Sequence, residues 1–164
     1  MSGPAGEEGA AGQKLPFEVT RARRAGARLA AVQALYEMDQ TGKSARAVIR
    51  EFMDDRLGLG PEGDPVEEAD PDLFKAIING VIDHQDTIDP AIIGRLAAGW
   101  KLTRLDATTR AIIRAGAAEF LVHGELSNAI IVDEYVSLAS DFFENTETRF
   151  VNGVLDKVGK DLRS

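Results

Sequence analysis

The sequence predicts an all-α protein, a compact bundle of about seven helices in two helical subdomains. Apolar residues make up 44% of the 164 residues, enough to bury a core. They recur at spacings of three and four residues, which is typical of amphipathic helices. No stretch alternates with a period of two, and no hairpin dipeptide separates two β-rich runs, so strands are not expected. No helix is long enough for a coiled coil, which favours a globular bundle.

The N-terminal part combines a tail with the first helix. Residues 1–19 are rich in Gly, Pro and Ala and carry no helical stripe, so we expect a disordered tail there. Thr20 is a candidate N-cap for a helix over 20–40, and Gly42 is a candidate stop. The apolar stripe of this helix comprises Ala22, Ala25, Leu29, Val32, Leu35 and Tyr36.

The second and third helices begin at polar capping residues. Ser44 can cap a second helix that Gly58 ends, and residues 58–69 are a loop by their Gly, Pro and acidic composition. Asp70 is an N-cap followed by Pro71 at the first helical position. The stripe of the third helix comprises Leu73, Phe74, Ile77, Ile78, Val81, Ile82 and Ile88.

The fourth and fifth helices are predicted from similar signals. Asp89 and Pro90 repeat the cap-plus-proline pattern and open a short helix. Its apolar residues are Ile92, Ile93 and Leu96. Asp106 is the expected N-cap of the fifth helix, which Gly124 closes. Gly116 inside that helix costs roughly 1 kcal/mol relative to alanine, so a close helix crossing is expected there.

The last two helices and the domain boundary complete the prediction. Ser127 and Thr146 are candidate caps for the sixth and seventh helices. The sixth helix has the stripe Ile131, Tyr135, Leu138, Ala139 and Phe142. The seventh has the stripe Phe150, Val151, Val154, Leu155 and Val158. The break near 97–105 divides the bundle into subdomains over 20–98 and 99–164.

The residue types exclude several kinds of site. There is no cysteine, so neither a disulfide nor a thiolate metal site can form. The two histidines, His84 and His123, lie far apart and fit helix-end positions better than metal ligation. No Gly-rich phosphate loop, nucleophile elbow, zinc-protease motif or calcium loop occurs. We therefore predict a binding protein that is not an enzyme, with no cofactor and no metal.

Targeting signals are also missing from the sequence. No apolar run reaches the length of a membrane span, and residues 1–13 lack the basic-then-apolar order of a signal peptide. The absence of cysteine agrees with a reducing compartment. We therefore expect a cytoplasmic protein with no membrane partner.

The charge is distributed unevenly. The net charge is −8, yet residues 20–50 carry seven basic against two acidic residues. Arg21, Arg24 and Arg28 share one face of the first helix because they are spaced by three and four, and Arg23 lies beside them. A guanidinium suits phosphate because its planar fork donates two hydrogen bonds at once. Charge alone favours an anion-binding face and a solvated helix start about equally.

The C-terminal string RFVNGVLDK over 149–157 also has two interpretations. Phe150 can belong to the core with Val154 and Leu155, which periodicity alone favours. Alternatively, its ring is exposed beside Arg149. Single-stranded RNA is read in that way, by stacking on aromatic rings and by cationic contacts to phosphate.

Three strings combine in a specific order and spacing. RxxAVQALY runs from Arg28 to Tyr36, and LDxxxRAIIR runs from Leu105 to Arg114. NxxIxxExxxLA begins at Asn128, and FVNGVLDK follows it in the last helix. Over about residues 20–160 these strings resemble the NusB family of bacterial transcription antitermination factors. The FVNGVLDK string, the end of the third, is the most specific part.

The resemblance implies the fold, the function and the partners. NusB proteins are all-helical, with two subdomains, and bind the single-stranded boxA element of ribosomal RNA transcripts. They do so jointly with NusE, a ribosomal protein, within an antitermination complex on RNA polymerase. Some members are monomers and others are homodimers, so the resemblance leaves a homodimer open as a further partner arrangement.

Charge and resemblance together give the candidate site residues. The resemblance implies that Arg24 and Arg28 contact RNA, with Gln33 beside them, and that Phe150 stacks on a base next to Arg149. The full set of candidate RNA-binding residues is Arg21, Arg23, Arg24, Arg28, Gln33, Arg149 and Phe150. The contacts that the resemblance implies with NusE are Thr103, Arg104, Asp106 and Thr109.

Two alternatives compete with an RNA-binding antitermination factor. One is a homodimeric protein-interaction module whose RNA face is masked or lost, which sedimentation with and without RNA would reveal. The other is a NusB-like domain of the kind that precedes some RNA cytosine methyltransferases. Because no second domain follows in the sequence, we expect no catalytic portion.

Overall fold

The computed structural model describes residues 16–55, 57 and 68–164, and these residues form seven α-helices and no strand. A short 3-10 turn, Leu102–Arg104, precedes the fifth helix. The helices are α1 (Phe17–Thr41), α2 (Ala45–Asp55), α3 (Pro71–Asp83), α4 (Gln85–Ile93), α5 (Ala107–Val122), α6 (Asn128–Ser140) and α7 (Asn145–Leu162). The predicted all-α bundle of about seven helices is therefore confirmed.

Side-chain caps fix several of the helix starts that the sequence predicts. The carboxylate of Asp70 accepts hydrogen bonds from the first turn of α3, and that of Asp106 does the same for α5. Ser127 accepts from the Ile130 N–H at the start of α6, and Ser44 accepts from the Ala47 N–H at the start of α2. These four predictions are confirmed, and each cap satisfies backbone donors that have no partner inside the helix.

Two other predicted caps are wrong. Helix α1 begins at Phe17, so Thr20 lies in its first turn and donates its N–H to the Pro16 carbonyl at 3.0 Å. Residues 17–19 are therefore helical, whereas the rest of the predicted tail, 1–15, lies outside the described residues. Thr146 lies inside α7, which follows Glu144 without a side-chain cap. In both cases the chain is already helical before the capping residue type occurs.

The boundary between the third and fourth helices also differs from the prediction. Helix α3 ends at Asp83 instead of continuing to Ile88, and α4 begins directly after His84. Pro90 lies inside α4 rather than at its start, and the Asp89 carboxylate pairs with Arg114 at 2.9 and 3.0 Å. Asp89 is bound to a side chain of another helix, so it does not cap its own. Of the predicted loop over 58–69, residues 68 and 69 are described and lie in no helix, whereas residues 58–67, with the predicted helix stop at Gly58, lie outside the described residues.

Helix α5 is the centre of the bundle. It packs against α1, α3, α4, α6 and α7, and ten of its residues are buried. The buried apolar cluster draws side chains from every α-helix, so it crosses the break at 97–105. The division into subdomains 20–98 and 99–164 therefore stays a prediction.

Two glycines allow α5 and α7 to approach closely. A Cβ on Gly116 would lie 2.9 Å from Leu155 Cδ1, and one on Gly159 would lie 2.6 Å from Phe120 Cζ. The helix crossing expected at Gly116 is thus confirmed. Because the side chains interlock at both glycines, the position of α7 against the core is well defined.

Several side chains of the predicted apolar stripes are exposed instead of buried, so those assignments to the core are wrong. Besides Phe142 they include Ala22, Ala25, Tyr36, Ile82 and Ile93. Phe142 was expected inside with the α6 stripe, but α6 ends at Ser140 and Phe142 is exposed in the following turn. Across the described ranges, no helix has both the length and the apolarity that a membrane crossing would need.

Candidate nucleic-acid interface

The four arginines at the start of α1 have four different environments. Arg21 is exposed, and its Nε donates to Glu134 Oε2 of α6 at 3.2 Å. Arg23 donates to the backbone carbonyl of Glu68, just before α3, at 3.0 Å. Arg24 is partly exposed, and no hydrogen bond or ion pair joins it to any described residue. The predicted shared face therefore has only Arg21 and Arg24 available to solvent.

Arg28 is the fourth arginine, and it is buried. Only 2% of its surface is exposed, and its Nε and Nη2 donate to the two oxygens of Glu119 at 2.9 and 2.7 Å. The expectation that Arg28 contacts RNA is wrong for this structure. The side chain is inaccessible to a ligand, and its guanidinium already donates two hydrogen bonds to Glu119. Arg28 lies one turn before Val32 of the apolar stripe, so its side chain extends between the packed helices.

Glu119 is the acceptor at the centre of this buried network. Besides Arg28, it accepts from the Tyr135 hydroxyl at 2.8 Å, and His123 Nδ1 lies 2.8 Å from its second oxygen. Both carboxylate oxygens therefore have two partners each. These partners compensate the free-energy cost of removing the carboxylate from water, which would be very large for an isolated buried carboxylate.

The network shifts the pKa values of its members in directions that keep the ion pair charged. Burial alone would raise the pKa of Glu119, but the hydrogen bonds and charge of Arg28 lower it overall, with help from His123 and Tyr135. Burial would lower the pKa of Arg28, but Glu119 raises it above its ordinary value. Burial and the Glu119 charge raise the pKa of Tyr135 well above its ordinary value.

The charged network reaches the surface through Glu134. This α6 carboxylate lies 3.6 Å from Arg28 Nη1 through one oxygen and accepts from Arg21 through the other. Arg21 and Arg28 are separated by two turns of α1 and converge on the same acid. Through Glu134, these two arginines connect the N-terminal half of α1 to α6.

The ring at position 150 is accessible to solvent. Phe150 is 37% exposed, whereas Val151, Val154 and Leu155 are buried, so the core stripe of α7 starts one residue after the ring. The core interpretation of Phe150, which periodicity favoured, is wrong. Arg149 beside it is exposed, and no described residue pairs with it. Gln33 is likewise exposed on α1.

The segment predicted to contact a protein partner is only partly at the surface. Thr103 and Arg104 are exposed, and the Arg104 guanidinium lies 5.3 Å from the centre of the half-exposed Trp100 ring. Asp106 is exposed but its carboxylate caps α5. Thr109 is 5% exposed, so its predicted role as a surface contact is wrong. It faces inward at the first turn of α5, the most deeply buried helix.

The sequence interpretation missed the two acids that organise this region. Glu119 lies within the apolar run from Ala115 to Leu121, and a charge inside such a run signals a buried partner. Glu134 appeared only as the acid of the NxxIxxExxxLA string, with no role assigned to it. No group of three or more potential ligands that could hold a metal ion lies among the residues that the structure describes.

Comparison of the whole sequence with known proteins shows similarity to one family. A sequence model described as the NusB family matches residues 25–160. Transcription antitermination protein NusB of Hyphomonas neptunium is 71% identical over 152 residues, which cover 93% of this chain and 99% of that protein. The protein of the same name from Caulobacter vibrioides is 45% identical over 140 residues, covering 85% and 94% of the two chains.

Solved structures agree on the fold. NusB of T. maritima superposes with a TM-score of 0.70 at 23% identity, over 91% of this chain and 94% of that one. A chain from the complex of antitermination factors NusB and NusE with double-stranded RNA gives 0.69 at 23% identity, over 85% and 97%. At this identity the likeness establishes the helical architecture and nothing finer.

Proposed function

The chain belongs to the NusB family, and from this we propose that it is a transcription antitermination factor of the cytoplasm that binds boxA-type RNA together with NusE. The observation that carries the proposal is the 71% identity to a NusB protein over nearly the whole of both chains. A solved relative forms a complex with NusE and RNA, which supports the same two partners for this chain. The wider partner is the antitermination complex on RNA polymerase.

We infer that the RNA surface combines cations from α1 and α7 with one aromatic ring. The guanidinium groups of Arg24 and Arg149 have no partner within the described ranges, and Phe150 offers an exposed ring beside Arg149. Cations give a salt-sensitive contact with phosphates, while a stacked base fixes the orientation of the strand. Helix α6 contacts both α1 and α7, so it is the element between the two parts of this surface.

The acidic net charge makes a second RNA-binding partner advantageous. The chain carries −8 overall, so a few surface arginines should bind RNA weakly on their own. A partner that adds its own RNA contacts raises the overall affinity without any new contact on this chain. We propose that NusE binds at the exposed segment containing Thr103 and Arg104, where the guanidinium of Arg104 lies over the Trp100 ring.

The first experiment is a titration of a boxA-like RNA oligonucleotide with and without NusE, at two salt concentrations. We expect weak binding alone, tighter binding with NusE, and a steep loss of affinity at the higher salt. An RNA of the same length and shuffled sequence is the control. Equal binding of both RNAs would contradict boxA recognition. A stable dimer that never binds RNA would instead support an interaction module.

A second experiment tests the stacking role of the ring. Phe150→Leu keeps an apolar side chain but removes the π-face, so RNA affinity should fall by at least about fivefold, since stacking on one ring contributes ~1–3 kcal/mol. Phe150→Tyr is the matched control, because it keeps the ring and should bind nearly as well as the wild type. Equal affinities for the Leu and Tyr variants would show that stacking at this position plays no part.

A further inference from the structure

Arg21 is held through one of its five N–H donors, and the other four have no acceptor among the described residues. Its side chain is 64% exposed, and the Nε–Glu134 bond of 3.2 Å is the contact that holds it. Neither Nη atom donates to another residue in the described part of the chain. The outer edge of the guanidinium, formed by Nη1 and Nη2, therefore faces no protein acceptor. That edge is the part of arginine that can hold two phosphate oxygens at once.

Glu134 is itself fixed by the buried network. Its side chain is 15% exposed, and its other oxygen lies 3.6 Å from Arg28 Nη1. Arg28 in turn is held by two hydrogen bonds to the fully buried Glu119. The carboxylate of Glu134 is therefore a rigid acceptor at the edge of the interior. A long flexible arginine bound to it loses its rotamer freedom before any ligand arrives.

We propose that Glu134 is a positioning residue for RNA: it orients Arg21 so that the open Nη1–Nη2 edge receives a backbone phosphate. The inference rests on the proposed RNA-binding function and adds to it a defined phosphate contact and the residue that orients it. Pre-ordering a side chain lowers the cost of binding, because less conformational freedom is lost in the complex. Arg21 thus differs from Arg24 and Arg149, which no residue of the described part of the chain holds in this way.

The charge of Glu134 acts against this orienting effect. A carboxylate beside the contact repels phosphate, and the positive charge of Arg28 is already balanced by Glu119. Orientation and repulsion can be separated by substitution. Glu134→Gln keeps an oxygen acceptor for Arg21 but removes the charge, so RNA binding should equal or exceed that of the wild type. Glu134→Leu removes the acceptor as well, so Arg21 is released.

The test is a double-mutant cycle on affinity for a boxA-like RNA oligonucleotide at low salt. Arg21→Ala and Glu134→Leu should each weaken binding by about three- to tenfold. The double variant should bind no more weakly than Arg21→Ala alone, because Glu134 acts only through Arg21. Asp133→Leu, which removes an exposed neighbouring acid from α6, is the matched control and should not weaken binding.

The outcomes separate this inference from the proposed function. If the wild-type protein does not bind the RNA, the proposed function fails and this inference with it. If the wild type binds but the losses of the two single variants add in the double variant, Glu134 does not act through Arg21 and only this inference fails. Wild-type affinity in Glu134→Leu would overturn it equally. Thermal unfolding confirms that each variant is folded, and Glu134→Ala replaces Glu134→Leu if the latter is not.

Discussion

Arg24 and Arg28 lie one helical turn apart on α1, on the same predicted face, and yet one is at the surface and the other in the interior. Arg28 lies in the buried network with Glu119 and Tyr135, where every polar atom of the carboxylate has a partner. Arg24 is partly exposed and, like that of the exposed Arg149, its guanidinium has no partner among the residues that the structure describes. Residue type and spacing are the same for both arginines, so the difference comes from the helices that face them.

The comparison separates two uses of positive charge. In the interior, a guanidinium stabilises the fold only together with its carboxylate, and removing one partner leaves the other uncompensated. At the surface, an unpaired guanidinium contributes little to stability but is free to bind a phosphate. Stability and RNA affinity should therefore respond to different arginines.

Arg28→Ala should produce the largest loss of stability. It leaves the carboxylate of Glu119 buried without its main partner, which should cost about 3–5 kcal/mol in the free energy of unfolding. Urea unfolding monitored by circular dichroism measures this. The paired replacement Arg28→Met with Glu119→Leu removes both charges and should recover most of the loss. A loss below ~1 kcal/mol for Arg28→Ala would contradict the importance of the pair.

The same contrast between interior and surface applies to two glycines of α7, of which Gly159 is packed against the core and Gly153 is not. Gly159→Ala places a Cβ against the Phe120 ring, so it should lower the free energy of unfolding by about 1–3 kcal/mol. Gly153→Ala is the matched control, because no atom lies within 4 Å of its added Cβ. That variant should be more stable by roughly 0.5–1 kcal/mol, since glycine inside a helix is unfavourable. Calorimetry on both variants checks the contrast, and equal destabilisation would contradict it.

The dependence of stability on acid pH should show that Glu119 is ionised in the folded protein. The pKa of Glu119 is lowered in the folded state, so its contribution to stability is present above its ordinary pKa of 4.5 and is lost as the pH falls through the folded value. The wild type should therefore lose more stability below that pH than the variant Arg28→Met with Glu119→Leu. Urea midpoints between pH 7 and pH 3 measure the difference. Parallel pH profiles would show that Glu119 is not ionised in the fold.

Much of the fold was accessible from the sequence because its signals are local. The caps at Asp70, Asp106 and Ser127 depend on neighbouring backbone donors, and the close crossing depends on one glycine, Gly116. Proline at position 90 was misleading because Asp89 has a partner, Arg114, on another helix. Such a partner is far away in sequence, so local rules cannot include it.

The candidate site was harder to predict for the same reason. The exposure of Phe150 depends on where α7 meets the core, and the burial of Arg28 depends on Glu119, which is 91 residues away. Periodicity places a residue near a boundary between apolar and polar faces, but it does not say which side of the boundary the side chain takes. For Arg28, the acids Glu119 and Glu134 decide which side it takes, and no spacing rule links them to α1.

The most direct test of the separation between interior and surface is to measure both RNA affinity and unfolding free energy in Arg24→Ala and in Arg46→Ala. Arg46 is an exposed arginine of α2, so the two variants remove the same charge from different places. We predict that both keep wild-type stability within ~0.5 kcal/mol. Only Arg24→Ala should bind boxA-like RNA more weakly, by about five- to tenfold, with the slope of log affinity against log salt reduced by about 0.7. Equal RNA affinities for the two variants, or a large loss of stability in Arg24→Ala, would contradict the account.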